Sequence, residues 1–181
     1  MVIDEILAYN EQFVKQNRLP IIGHKPRKHM AVVTCMDCRL VQMLEQALGL
    51  ERGDVIELRT AGATISKPER DSGYSDLIRS LAGAIYLLDV REVAVIGHTQ
   101  CGLAHAEPNV LIASMQALGV DPQPLIEEPG LKNWIGGFDD VHVNVKEVVN
   151  VIHSSPYLPA IPVHGLVIDI ETGKLEMVER G

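Results

Sequence analysis

Two short motifs contain residues whose types and spacing could bind a metal ion. The first motif is Cys35-Met-Asp37-Cys-Arg39, and the second, much later in the chain, is His98-Thr-Gln-Cys101. Two thiolates and one imidazole are good ligands for Zn²⁺, and three protein ligands leave a fourth tetrahedral position open. A catalytic zinc needs that open position, because the metal there lowers the pKa of a coordinated water. The pattern therefore predicts a catalytic zinc centre at Cys35, His98 and Cys101.

Each motif follows a short apolar segment that is typical of a buried parallel strand. These segments are residues 30–34 and 92–97. Segments with helical spacing of apolar residues lie between them, and strands that alternate with helices indicate an α/β fold with a mostly parallel sheet flanked by helices. Ligands in such sheets collect at the carboxyl ends of the strands. Both motifs are therefore predicted at the same edge of the sheet.

The remaining elements follow from apolar periodicity and from turn residues. We expect helices near residues 4–17, 40–48 and 72–88, a strand at 54–59, and a C-terminal β-hairpin of 163–169 and 174–178 around a turn that contains Gly173. Residues 139–154 are ambiguous, because Val141, Val143 and Val145 alternate as in a strand. We favour a helix there, since the longer window places its apolar residues on one helical face.

The composition excludes several classes of protein. The chain has 181 residues, of which 46% are hydrophobic and 22% charged, so it is neither disordered nor of low complexity. Its formal net charge of −8 argues against nucleic acid or an anionic membrane as a partner, since both need clustered positive charge. No apolar segment is long enough to span a membrane, and the acidic N-terminus is unlike a signal peptide. We expect one cytoplasmic domain over residues 1–181.

The chain contains three cysteines, and Cys38 has no place in the predicted zinc site. A sparse, odd set in a cytoplasmic chain favours metal binding or reactivity over disulfides. Cys35 and Cys38 could instead form a redox pair, or both could join His98 and Cys101 in a closed structural zinc site. The first alternative leaves the second motif unexplained. In the closed zinc site, the two ligand pairs would be separated in sequence by far more than the roughly 12–20 residues found in compact zinc modules.

These motifs resemble those of the β-class carbonic anhydrases, and most closely the small branch found in archaea and bacteria. The resemblance rests on 35–39 together with 97–102, and it extends to Arg59-Thr-Ala-Gly62, His164-Gly165 and the hairpin at 172–174. It covers most of the chain. Either metal motif alone would be weak, whereas the two in this order at strand ends are highly specific.

The resemblance implies zinc held by Cys35, His98 and Cys101, with water or hydroxide as the fourth ligand. It implies that Asp37 accepts a hydrogen bond from that ligand and that Arg39 orients Asp37. The implied reaction is reversible hydration of carbon dioxide to bicarbonate and a proton. The implied assembly is a homo-oligomer, a dimer or a multiple of dimers, whose N-terminal helix packs on a partner subunit. Relatives on the same scaffold hydrolyse carbon disulfide or carbonyl sulfide, which is the alternative substrate class.

Three positions depart from the family pattern. Cys38 replaces the usual Ser, Thr60 replaces a common Asn, and Val32 stands where some relatives carry a Trp associated with an inhibitory bicarbonate pocket. None of them removes a predicted metal ligand or the Asp37–Arg39 pair. Of the remaining histidines, His105 is the candidate proton shuttle, because it closely follows the second motif.

Overall fold

A computed structural model describes residues 1–65, 75–127 and 135–181 of the chain. Six helices lie in this part of the chain, and they are α1 (Val2–Gln16), α2 (Met43–Ala47), α3 (Asp76–Leu88), α4 (Pro108–Ala117), α5 (Gln123–Ile126) and α6 (Val141–His153). The strands are β1 (Met30–Cys35), β2 (Val55–Thr60), β3 (Glu92–His98), β4 (Val163–Ile168) and β5 (Leu175–Glu179). Short 3₁₀ turns follow β1 and β2, at Cys38–Leu40 and Ala61–Ala63.

The five strands form one sheet in the order β2-β1-β3-β4-β5. The first four are parallel, and β5 runs antiparallel to β4. This confirms the predicted α/β fold, its mostly parallel sheet and its C-terminal hairpin. Because β1 and β3 are parallel neighbours, with Thr34 opposite Ile96, their carboxyl ends meet at the same edge of the sheet. The two metal motifs follow directly from those ends.

Helices α3 and α6 cover one face of the sheet. Their apolar residues pack with alternate residues of the strands, in a core that includes Leu81, Val145, Val149, Val33 and Val95. The opposite face carries a second cluster that includes Val32, Ile96, Leu40 and Leu44 together with Cys35 and Cys101. The candidate ligands are therefore embedded in apolar surroundings.

Helix α6 confirms the helical interpretation of residues 139–154. The side chain of Asp140 caps it, since Oδ1 accepts hydrogen bonds from the backbone N–H groups of His142 and Val143 at 2.7 and 3.0 Å. Glycine in β3 lets the helix come close to the sheet. A Cβ at Gly97 would lie 2.7 Å from Cγ2 of Val141 and 2.8 Å from Cγ2 of Val145.

The predicted helix over 40–48 is wrong in its continuity. The 3₁₀ turn ends at Leu40, Val41 is extended, and Gln42 has a φ of +66°, so that α2 begins only at Met43. Leu40 and Leu44, on either side of the interruption, are both fully buried. A residue with a positive φ cannot continue a right-handed α-helix, so the predicted helix is divided at Gln42.

Two further differences concern the other helices. Helices α4 and α5 lie in a region for which the sequence motifs predicted no element. The predicted helix at 72–88 is confirmed from Asp76 onward, with Ser75 as its N-cap, and residues 72–74 lie outside the described residues.

Helix α1 has no buried residue, although its sequence is amphipathic. Its apolar side chains Ile3, Ile6 and Leu7 are more than half exposed. Within a single chain this apolar surface is therefore left open to solvent. None of the helices in the described ranges combines the length and apolar character that crossing a membrane requires.

Candidate metal centre

Three candidate ligands converge where β1 and β3 end. Cys35 and His98 are the last residues of these strands, and Cys101 follows three residues later. All three are buried, and their ligand atoms lie within 4.8 Å of one another. The two Sγ atoms are 3.9 Å apart. Two thiolates on one tetrahedral zinc, with Zn–S bonds of about 2.3 Å, would be separated by about 3.8 Å. The observed spacing therefore fits the ion.

The imidazole of His98 is oriented for metal binding. Its Nδ1 lies 2.8 Å from the backbone carbonyl of Thr99, an arrangement in which Nδ1–H donates and Nε2 keeps its lone pair. Nε2 is buried and has no hydrogen-bond partner among the described residues. A buried acceptor without a partner is costly, and a metal ion would satisfy it.

The two buried thiols can share one hydrogen bond, in which either sulfur could be the donor. The hydrogen bond between them lowers the pKa of Cys35 and raises that of Cys101, and burial raises both. Backbone N–H groups favour the thiolate forms, that of Gly62 at Cys35 and that of Leu103 at Cys101. A cation between the sulfurs would replace the shared proton and let both thiols ionise.

Asp37 and Arg39 form a bidentate ion pair beside these ligands. Arg39 Nη2 donates to Asp37 Oδ2 at 2.7 Å, and Nε donates to Oδ1 at 3.0 Å. These hydrogen bonds, followed by the backbone N–H of Arg39, lower the pKa of Asp37 to about 2. Asp37 Oδ2 lies 3.8 Å from His98 Nε2. An ionised carboxylate therefore stands next to the free imidazole nitrogen.

The segment after β2 supports the first motif. Arg59 pairs with Glu45 at 2.7 Å and with Glu57 at 3.0 Å, and it also donates to the carbonyl of Cys35 at 3.4 Å. Arg59 therefore pairs with acidic side chains and also supports the end of β1. The hydroxyl of Thr60 donates to the carbonyl of Thr64 at 2.9 Å.

Gly62 approaches its neighbours closely. Its φ is +66°, and a Cβ there would lie 2.8 Å from Cε1 of Phe138. Its carbonyl accepts a hydrogen bond from Nδ2 of the buried Asn144 on α6, at 3.1 Å. The sequence motifs did not single out Phe138 or Asn144. A polar residue among the valines of an apolar helix face was the available signal for Asn144.

Cys38 is exposed and lies outside the group of three buried ligands. The structure thus brings together three candidate ligands, rather than the four of a closed site. His105, the candidate proton shuttle, is largely exposed, and its Nδ1 lies 3.4 Å from Oδ1 of Asp139. Its role stays a prediction.

Comparisons with known proteins show which family this chain resembles. A family model described as carbonic anhydrase matches residues 30–175. YvdA of Bacillus subtilis (strain 168), provisionally named a carbonic anhydrase, is 38% identical over 186 residues, covering 99% of this chain and 92% of that protein. β-Carbonic anhydrase 1 of Mycobacterium tuberculosis (strain ATCC 25618 / H37Rv) is 30% identical over 179 residues, covering 98% of each chain.

A solved structure and a second group of relatives complete the comparison. The crystal structure of β-carbonic anhydrase isoform I from Trichomonas vaginalis superimposes with a TM-score of 0.91 at 35% identity, covering 99% of this chain and 98% of that one. A carbon disulfide hydrolase of Acidithiobacillus thiooxidans matches at the lower identity of 26% over 167 residues, covering 85% of this chain and 79% of that protein. The chain therefore belongs to the β-carbonic anhydrase family and is an enzyme of the lyase class.

Proposed function

We propose that this chain catalyses the zinc-dependent, reversible hydration of carbon dioxide to bicarbonate and a proton. The observation that carries the proposal is the buried Nε2 of His98, which lacks a partner and faces two thiols at a spacing that suits zinc. Cys35, His98 and Cys101 would hold one zinc ion per chain. When bound, zinc lowers the pKa of a coordinated water, so that a nucleophile forms near neutral pH.

Asp37 orients the reacting water. Arg39 keeps its carboxylate ionised, so both carboxylate oxygens act as hydrogen-bond acceptors over the pH range in which the enzyme works. An acceptor beside the ligand cluster selects the orientation in which a water directs its proton to Asp37 and a lone pair to the substrate. Arg39 in turn holds Asp37 with two parallel hydrogen bonds, a geometry that restricts the rotation of the carboxylate.

The buried surroundings suit a small, uncharged substrate. Partly buried apolar side chains, among them Leu103 and Phe138, pack against the core cluster that contains Cys35 and Cys101. An apolar site admits a neutral gas without a desolvation cost, and it strengthens the electrostatic effect of the ionised groups. Carbon disulfide is also neutral and apolar, so it must be tested beside carbon dioxide as an alternative substrate.

The chain acts as a homo-oligomer, a dimer or a multiple of dimers, with α1 packed on a second copy. The exposed apolar residues of α1 support this assembly, because side chains such as Ile3, Ile6 and Leu7 gain from burial only against another surface.

The test combines metal analysis with stopped-flow measurement of carbon dioxide hydration. The purified chain should contain about one zinc per chain and hydrate carbon dioxide. Asp37→Asn should retain zinc but lower kcat by roughly 10²-fold, the lower end of what a positioned acid–base group contributes. Asp89→Asn is the matched control, since Asp89 forms a similar bidentate pair with Arg91, at 3.0 and 2.8 Å. Asn also tolerates its left-handed φ of +62°.

Three outcomes would count against the proposal. Hydration at the wild-type rate in Asp37→Asn would limit Asp37 to capping the 3₁₀ turn at Cys38–Leu40, where its side chain accepts the backbone N–H of Arg39. Turnover of carbon disulfide without hydration of carbon dioxide would move the substrate assignment. Loss of zinc in Cys38→Ser would favour the closed four-ligand site, whereas we expect this variant to keep both zinc and activity.

A further inference from the structure

The backbone of Gln100 is in an unusual conformation. Its φ of +53° lies in the left-handed region, which non-glycine residues rarely adopt. In this conformation its carbonyl accepts a hydrogen bond from Arg39 Nη2 at 2.9 Å. The same nitrogen donates to Asp37 Oδ2 at 2.7 Å. The guanidinium of Arg39 is therefore held between a carboxylate and a backbone carbonyl.

The loop that contains Gln100 is tied to the turn between β4 and β5. Gln100 Nε2 donates to Glu171 Oε1 at 2.8 Å, and Thr99 Oγ1 accepts from the backbone N–H of Ile170 at 3.0 Å. The turn has its own support, since Asp169 Oδ1 accepts the backbone N–H of Glu171 at 3.1 Å. The left-handed residue is thus fixed from a second element of the fold.

We infer that Gln100 is a positioning residue, whose left-handed backbone, held by Glu171, fixes Arg39 and through it Asp37. Strained backbone persists only where its surroundings determine it, and such strain concentrates at functional sites. The side chain of Arg39 is 46% exposed, so water competes for its donors. A carbonyl in a fixed position restricts this side chain more than water does.

This inference deepens the proposed function, and its effect on catalysis rests on that function. The placement of Arg39, however, can be measured with or without zinc. The Nε–H signal of Arg39 in an NMR spectrum, assigned by its loss in Arg39→Lys, reports on the ion pair through its rate of exchange with water.

The central experiment compares Gln100→Gly with Gln100→Val. Both substitutions remove the amide that reaches Glu171, but glycine accepts the left-handed conformation and valine resists it. We expect Gln100→Gly, which loses the bond to Glu171 but keeps an unstrained left-handed backbone, to raise the rate of Nε–H exchange only modestly, as Glu171→Ala does. Gln100→Val, which also resists the left-handed conformation, should exchange faster than either. The kcat/KM of Gln100→Val should be on the order of tenfold lower than that of Gln100→Gly, at equal zinc content, as for other lost outer partners of a metal site.

Glu171→Ala tests the same link without changing the residue next to Cys101. It should speed Nε–H exchange at Arg39 and lower kcat/KM about threefold, the effect expected from one exposed hydrogen bond to a charged group. Gln123→Ala is the control, because Gln123 makes a similar exposed bond to Glu127 at 3.0 Å, and it should change neither quantity.

Equal exchange rates at Arg39 in Gln100→Gly, Gln100→Val and the unaltered chain would overturn the inference, and so would an unaltered rate in Glu171→Ala. If the chain did not hydrate carbon dioxide at all, the proposed function would fail, while the exchange rates would still decide whether Gln100 positions Arg39.

Discussion

Replacing Gly97 by alanine would place a methyl group where α6 packs on β3. That Cβ would lie 2.7 Å from Cγ2 of Val141 and 2.8 Å from Cγ2 of Val145. Carbon atoms in good contact are about 3.5–4.0 Å apart, so each overlap is close to 1 Å. Overpacking of this kind lowers the free energy of unfolding by about 1–3 kcal/mol. Because the new methyl group overlaps two side chains of one helix, we expect a loss of about 2–3 kcal/mol for Gly97→Ala.

Gly83→Ala is the matched control for this substitution. Gly83 lies inside α3, and apart from its chain neighbours and the nearby backbone of the same helix no described heavy atom would come within 4 Å of a Cβ there. Alanine should therefore stabilise the chain by about 0.5–1 kcal/mol, since glycine in a helix loses more conformational freedom on folding. The same chemical change thus has opposite predicted signs at the two sites.

Urea unfolding followed by circular dichroism measures both effects. Protein concentration and metal content must be equal in all samples, because metal binding and association shift the apparent stability. We expect the midpoint of Gly97→Ala to fall and that of Gly83→Ala to rise, with unchanged slopes. If Gly97→Ala were as stable as the unaltered chain while Gly83→Ala behaved as expected, the close packing of α6 on β3 would be refuted.

Three further predictions concern α6 and α1. Asn144→Ala leaves the carbonyl of Gly62 without its buried partner. Calorimetry should therefore show a free energy of unfolding that is lower by about 1–3 kcal/mol. A chelator competition assay should show a roughly tenfold weaker affinity for zinc. Leu7→Glu places a charge on the exposed apolar surface of α1, and sedimentation should then show a smaller assembly; an unchanged mass would count against the role of α1. The pKa of Asp140 is lowered because the backbone N–H groups of Val143 and His142 donate to its carboxylate. The ionised carboxylate therefore stabilises the folded chain fully above the unfolded pKa of about 4. This contribution to stability is lost as the pH falls through the lower pKa of the folded state. Asp140→Asn should therefore lose less thermal stability than the unaltered chain between about pH 5 and pH 3, and parallel curves would contradict this.

Local sequence patterns were sufficient to predict the sheet and the grouping of the metal motifs. The runs that end at Cys35 and His98 are continuously apolar, as strands buried on both faces must be. Parallel strands then bring their carboxyl ends together, so two motifs far apart in the chain could be predicted to meet.

Features that depend on tertiary contacts were not predictable in this way. The break at Gln42 lies between Leu40 and Leu44, whose spacing suits one continuous helix, so the apolar pattern does not indicate it. The carbonyl of Gln100 accepts a hydrogen bond from Arg39 in a loop that also contacts the β4–β5 turn, and both contacts join residues distant in sequence. The helix capped by Asp140 was predictable only from its longer window, since its valines also alternate as in a strand.

X-ray absorption spectroscopy of the zinc-loaded chain tests the central claim most directly. We expect two sulfur ligands at about 2.3 Å and two nitrogen or oxygen ligands at about 2.0–2.1 Å, from Cys35, Cys101, His98 and one exchangeable position. Cys38→Ser should give the same spectrum. Three sulfur ligands, reduced to two in Cys38→Ser, would contradict an open site built from Cys35, His98 and Cys101.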